Sequence, residues 1–344
     1  MIPGTPQIRH LTPADWQQAL RDCVRDPQEL VESLGLGQEW VGPARRAAEL
    51  FPLRVPRSYI ARMHRGDPGD PLLRQVLPLA EEMLESPGYV ADPVGDLQAL
   101  AGPGLLHKYH GRALLVTTGA CAIHCRYCFR REFPYAEQHA GKQSFGPALD
   151  VIRDDSSITE VLLSGGDPLT LGDRRLAALL EDIEAIPHVQ RVRVHTRLPV
   201  VLPERIDAGF VAAWTSVRRL QRVMVIHANH AQELRCADDV QAALRRVREC
   251  GTTLLNQSVL LRGVNDSVPA LADLSETLFA SGVLPYYLHV LDRVRGAAHF
   301  DVPVGEALEL HANLTTRLPG YLVPRLVREV PGAAAKTMLQ PASR

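Results

Sequence analysis

Residues 113–131 read Ala113-Leu-Leu-Val-Thr-Thr-Gly-Ala-Cys121-Ala-Ile-His-Cys125-Arg-Tyr-Cys128-Phe-Arg-Arg131. The opening apolar, β-branched run predicts a strand over 113–118, so the three cysteines fall in the loop at its carboxyl end. Their spacing is C-x3-C-x2-C, with no fourth cysteine nearby. Thiolates are soft ligands that suit iron–sulfur clusters or zinc. A closed zinc site or an ordinary four-iron cluster takes four protein ligands. Three in one loop imply a cubane with one iron left open, and an open iron can hold a substrate.

Working outward, short apolar runs recur at 160–164, 191–196, 222–227, 252–261 and 284–291. Amphipathic helical patterns separate them, as at 174–184, 239–250 and 270–280. This alternation is the rhythm of βα units on a parallel sheet. Six units predict a partial (β/α)6 TIM-like barrel over 106–330 rather than the closed eightfold form. Residues 1–105 read as a mainly helical region. One helix is expected to start at Thr12-Pro13-Ala-Asp15, and others lie at 26–36, 44–50, 56–65 and 72–84. A Pro/Gly-rich linker is expected over 87–103, and 331–344 form a tail.

The chain has 344 residues, 38 Lys and Arg against 39 Asp and Glu, and a net charge of −1. That balance provides no electrostatic footprint for nucleic acid or an anionic membrane. No apolar run is long enough to span a bilayer, and the N-terminus lacks the order of a signal peptide. The reading is a cytoplasmic protein, with Cys23, Cys236 and Cys250 reduced and structural.

Polar residues cluster where such a sheet puts chemistry, at strand carboxyl ends. They are Ser164-Gly165-Gly166-Asp167, then His195-Thr196-Arg197, then His227, Asn229 and His230, then Asn256-Gln257-Ser258, and Asp292. The glycine pair lets backbone approach a ligand, and the polar groups beside it can hold an ammonium; a tight βα turn needs the same residues. Lys336 follows Gly332-Ala-Ala-Ala. It is either a solvated tail residue or a Schiff-base lysine whose small neighbours let a flat cofactor lie close. His107-Lys108-Tyr109-His110-Gly111-Arg112 would suit a phosphate or serve as a polar strand entry. Arg130 offers a fork for a carboxylate. Asp292 and Glu329, if paired, would hold a cationic side chain.

The cysteine loop resembles that of the radical S-adenosylmethionine (SAM) enzymes, and longer stretches are similar to the lysine 2,3-aminomutases. These are 121–131, 164–168, 195–199, NQSVLLRGVND at 256–266, YYLHVLDRVRGAAHF at 286–300 and 320–336. LRVPRSYIARM, LLRQVLP and GLLHKYHGRALL are similar to the short bacterial members that serve elongation factor P. The resemblance implies that Cys121, Cys125 and Cys128 ligate a [4Fe–4S] cluster. It implies that Lys336 carries pyridoxal phosphate (PLP), with Lys108, Tyr109 and Arg112 near its phosphate. Arg130 would take the carboxylate of L-lysine, and Asp292 and Glu329 its ε-ammonium. Ser164, Gly165, Gly166 and Asp167, with Gln257 and His230, would contact SAM. A functional link to elongation factor P and its lysyl-transferring ligase is implied, as is an electron donor of the flavodoxin or ferredoxin type. Glu329 stands where the catabolic members have Asp, and Gly332-Ala-Ala-Ala where they have glycines. Their C-terminal zinc site is not expected here, and a homo-oligomer is possible without being implied. The rival readings are an aminomutase of another amino acid, such as arginine, and a radical SAM enzyme without PLP.

Overall fold

The computed structural model describes residues 15–138 and 145–340. Ten strands form one sheet in chain order. They are β1 (Leu100–Gly102), β2 (Leu105–Tyr109), β3 (Arg112–Thr118), β4 (Glu160–Gly165) and β5 (Arg191–Thr196), then β6 (Gln221–Ile226), β7 (Thr253–Val259), β8 (Leu284–His289), β9 (Arg325–Arg328) and β10 (Thr337–Met338). From β3 to β9 every neighbouring pair is parallel. The outer pairs β1–β2, β2–β3 and β9–β10 are antiparallel. The six expected strands are therefore present within a residue or two. A seventh short parallel strand, β9, follows the helix Val304–Arg317.

Each crossover helix is specified locally. Asp238–Glu249 buries Val240, Ala243, Leu244 and Val247, a one-sided stripe, with Asp238 and Asp239 at its start and Arg246 and Arg248 at its end. Ser267 caps Val268–Ala280 by accepting from the Ala270 amide at 3.3 Å, and proline occupies its first turn. Alternation along the strands then sorts their side chains. On β5, Val192, Val194 and Thr196 are buried against the helices, while Arg193 and His195 point the other way. On β7, Asn256 and Ser258 are buried, while Gln257 and Val259 face the concave side. Side chains from every strand from β2 through β8, with Glu329 just beyond β9, line one cavity, so the sheet curls into the expected partial barrel.

The N-terminal region packs on this barrel through a shared core. Leu30, Tyr59 and Leu72 lie in one apolar cluster with Leu163, Val194 and Met224. Three local expectations there change. The helix expected over 56–65 is the single turn Arg57–Ile60. Residues 72–84 form short 3-10 turns at Leu73–Gln75 and Ala80–Met83 rather than a helix. Pro78 sits between them, and a helix cannot run through it without losing a hydrogen bond and clashing one turn back. The 87–103 segment is structured, holding the turn Leu97–Ala99 and strand β1, and it contributes Asp96 to the site. The start expected at Thr12-Pro13 lies outside the described residues, although a helix does run over Asp15–Arg21. Among the described residues no helix is long and apolar enough to cross a membrane.

Candidate active site

The carboxyl ends of the strands open on a cavity of about 310 Å3. Cys121, Cys125 and Cys128 line one side and are free thiols. Burial, reinforced by negative charge on Cys125, pushes the Cys128 thiol up to about 11. Burial likewise raises Cys121, with Cys128 and Asp167 adding to it. A positively charged metal group would reverse that preference.

Two devices hold the cysteine loop. Arg126 is fully buried and grips Glu82 in a fork, Nε to Oε1 at 2.8 Å and Nη2 to Oε2 at 2.6 Å; Arg131 adds a contact to Oε2 at 2.9 Å. From the other side, β4 closes on the loop backbone. The Gly166 and Asp167 amides donate to Thr118 O and Ala120 O at 2.7 and 2.8 Å. A Cβ on Gly166 would lie 2.4 Å from Ala120 O, and Gly165 has φ +118°. The glycine pair is thus needed so that strand and cysteine loop can touch. Asp167 then ties β4 to β5, accepting from Thr196 Oγ1 and the Arg197 amide, each at 2.7 Å.

From Arg130, two residues beyond Cys128, a chain of alternating charges runs along the same cavity. Arg130 Nε reaches Asp96 Oδ2 and Lys108 Nζ reaches Asp96 Oδ1, both at 2.6 Å. Lys108 continues to Glu329 Oε1 at 3.2 Å, and Lys336 Nζ pairs with Glu329 Oε2. Arg130 also donates through Nη1 to Ser164 Oγ at 3.0 Å. Burial alone would raise Glu329, but Lys336 and Lys108 hold its carboxyl at about 2. Asp292 goes the other way: burial, then the charge on Glu329, lifts it to about 7 despite the pull of Lys336 and Lys108. His195 and His289 stay neutral, pushed well down by burial.

Curated relatives share nearly the whole chain. "L-lysine 2,3-aminomutase" of Escherichia coli (strain K12) is 49% identical, with 94% of each chain covered. The chain belongs to the L-lysine 2,3-aminomutase family. The protein of the same name from Haemophilus influenzae is 44% identical over 98% of each chain. That of Clostridium subterminale is 32% identical over 95% of this chain and 78% of its own. No family model matches. Solved structures with a similar course include a radical SAM methyltransferase from Sphaerobacter thermophilus, 18% identical with TM-score 0.46, covering 65% of this chain and 68% of its own. Another is anSMEcpe with bound AdoMet and a peptide, 10% identical with TM-score 0.44, covering 59% and 58%.

Membership makes the chain a radical SAM isomerase and implies a [4Fe–4S] cluster, SAM and PLP. The residues present fit those groups. Cys121, Cys125 and Cys128 come from one eight-residue loop and all line the cavity as free thiols, a donor set that suits an iron–sulfur cluster. His195 Nε2, Gln257 Oε1 and His289 Nε2 are buried on the cavity wall without a partner among the described residues. A polar ligand there would satisfy them.

The aminomutase fold brings together Lys108, Tyr109, Arg112, Arg130, Ser164, Gly165, Gly166, Asp167, Gln257, Asp292, Glu329 and Lys336 with the three cysteines. His230 is not brought to this wall. Its ring accepts from the Gln232 amide at 3.3 Å and caps the turn Ala231–Glu233, and His227 faces the cavity in its place. Asp96 and Arg197 also line the cavity, and the sequence alone gives neither a role. Asp96 sat in the presumed linker, where nothing local marks it. Arg197 closes β5 directly after His195, and that position was the available sign.

Proposed function

We propose that the chain converts L-α-lysine to (R)-β-lysine, moving the amino group from C2 to C3. When bound, the cluster with SAM supplies a hydrogen-abstracting 5′-deoxyadenosyl radical, and PLP supplies the carbon that carries nitrogen through the shift. The chain's residues do the holding. Arg130 is fixed by Asp96 and Ser164 and keeps donors for the substrate carboxylate. Asp292 and Glu329 offer carboxyl groups to the ε-ammonium, which favours lysine over an acidic side chain. Lys108, Tyr109 and Arg112 form a basic corner, with the Arg112 guanidinium stacked 4.8 Å over the Tyr109 ring. That corner suits the cofactor phosphate. Lys336 has reach and a partner acid to carry the cofactor aldehyde. The neutral histidines and Gln257 line the middle of the cavity, where the radical must be kept from water.

The single observation that carries this reading is the convergence of three thiols, Lys336 and a carboxyl pair in one cavity. The finer proposals concern context. β-Lysine would feed the modification of elongation factor P through its ligase, supported by the likeness of LRVPRSYIARM and GLLHKYHGRALL to members with that role. A flavodoxin- or ferredoxin-type donor would reduce the cluster, in the cytoplasm where thiols stay reduced. Lys336→Ala tests the core. It should abolish lysine isomerisation and the borohydride-fixed PLP adduct, while reductive cleavage of SAM persists. Full isomerase activity in that variant would remove the PLP role.

A further inference from the structure

Arg197 is 5% exposed and has no part in the function described so far. Its Nη1 lies 2.8 Å from Cys125 Sγ and 2.8 Å from Tyr127 Oη. Nη2 is held by Gln75 Oε1 at 2.7 Å, Glu233 Oε2 at 2.9 Å and Tyr59 Oη at 3.2 Å. Its amide is fixed by Asp167. Nε is buried with no partner among the described residues, so the guanidinium keeps a further donor. Glu233 is itself immobilised, by the Asn229 amide at 2.8 Å and Gln75 Nε2 at 3.2 Å. The guanidinium therefore stands between its counter-ion and the sulfur, unable to swing away. Among the described residues, Cys125 alone of the three receives a side-chain hydrogen bond.

We infer that Arg197 is a positioning residue that sets the reduction potential of the cluster through Cys125. The inference rests on reading the three cysteines as cluster ligands. An N–H donated to a ligating sulfur, backed by a fixed positive charge, stabilises the electron-rich reduced cluster. It thereby raises the potential. The effect matters here because one electron must pass from this cluster to a sulfonium. A potential set too low starves it of electrons from a protein donor. The position at one cysteine also places the stabilising charge at one corner of the cluster.

The test is a redox titration of the anaerobically reconstituted protein, following the reduced cluster by electron paramagnetic resonance at matched iron content. Arg197→Gln should make reduction at least about tenfold less favourable, which is 59 mV per tenfold for one electron. Arg197→Lys, which keeps the charge without the fork, should recover a substantial part. Tyr127→Phe, which removes a hydroxyl from the same network and no charge, should leave the potential in place. A potential in Arg197→Gln within about twofold of wild type, well under that tenfold step, would overturn the inference. So would loss of the cluster from both Arg197 variants, which would make the residue a strut. A wild-type protein that assembles no four-iron cluster would instead overturn the ligand reading beneath it.

Discussion

Replacing Glu82 by alanine probes what holds the cysteine loop. Glu82 and Arg126 side chains are both 0% exposed, and Arg131 is 4% exposed. Solvent therefore screens none of these pairs, and the small values typical of surface ion pairs do not apply. Removing one partner of a buried pair costs about 3–5 kcal/mol, because a charge is left without compensation. Here two guanidinium groups are stranded. Some relief remains: Arg126 Nη1 still donates to Phe51 O at 2.7 Å, and both arginines stack on the Phe51 ring at 4.8 and 4.7 Å. The lower end, about 3 kcal/mol, is therefore expected. Arg126 follows Cys125, and Arg131 lies three residues beyond Cys128. The damage should thus appear in cluster retention as well as stability. The assay is denaturant unfolding of the anaerobic protein alongside iron and sulfide content. Glu82→Gln should fall between wild type and Glu82→Ala. A loss below about 1 kcal/mol, the surface-pair range, would refute the reasoning. So would full destabilisation with cluster content intact.

Three other expectations follow from the site. Asp292 has its carboxyl raised to about 7 from 3.8, mainly by burial and then by Glu329. A raised carboxyl means that ionisation is disfavoured in the fold, so this group's contribution to stability declines as pH rises from about 3.8 to about 7. Lysine binding needs the ionised form and should strengthen as pH rises through about 7; Asp292→Asn should flatten both profiles, and an unchanged lysine profile would count against the assignment. Gly166→Ala places a methyl group 2.4 Å from Ala120 O, so the loop must move; cluster content and SAM affinity should both fall, and wild-type values for both would show that the contact is dispensable. Glu329→Gln removes the acid shared by Lys336 and Lys108. PLP loading and lysine affinity should both weaken, read by absorbance titration and by the lysine KM.

Much of this architecture is written in local pattern. The six predicted strands are runs in which β-branched residues alternate with helical stripes, and each falls within a residue or two of its place. The cysteine spacing and the polar residues at strand ends were legible because chemistry collects at one rim of such a sheet. What stayed hidden depends on contacts distant in sequence. β1 and β2 are short and carry no periodic pattern, and they exist because β3 offers an edge. Asp96 acquires its role from Lys108 and Arg130, 12 and 34 residues away. The glycine pair suits both a ligand's approach and a tight turn on sequence alone; that it also makes room for the cysteine loop depends on Ala120, about 45 residues away in the chain. His230 and His227 differ by three positions, and only the twist of the chain after β6 decides which faces the cavity.

The most direct measurement gives the reconstituted protein L-lysine, SAM, PLP and a reductant under anaerobic conditions, with the product resolved by chiral chromatography. The account predicts (R)-β-lysine, dependent on both SAM and PLP and lost in Lys336→Ala. Protein that carries an intact four-iron cluster and cleaves SAM but forms no β-lysine would contradict it.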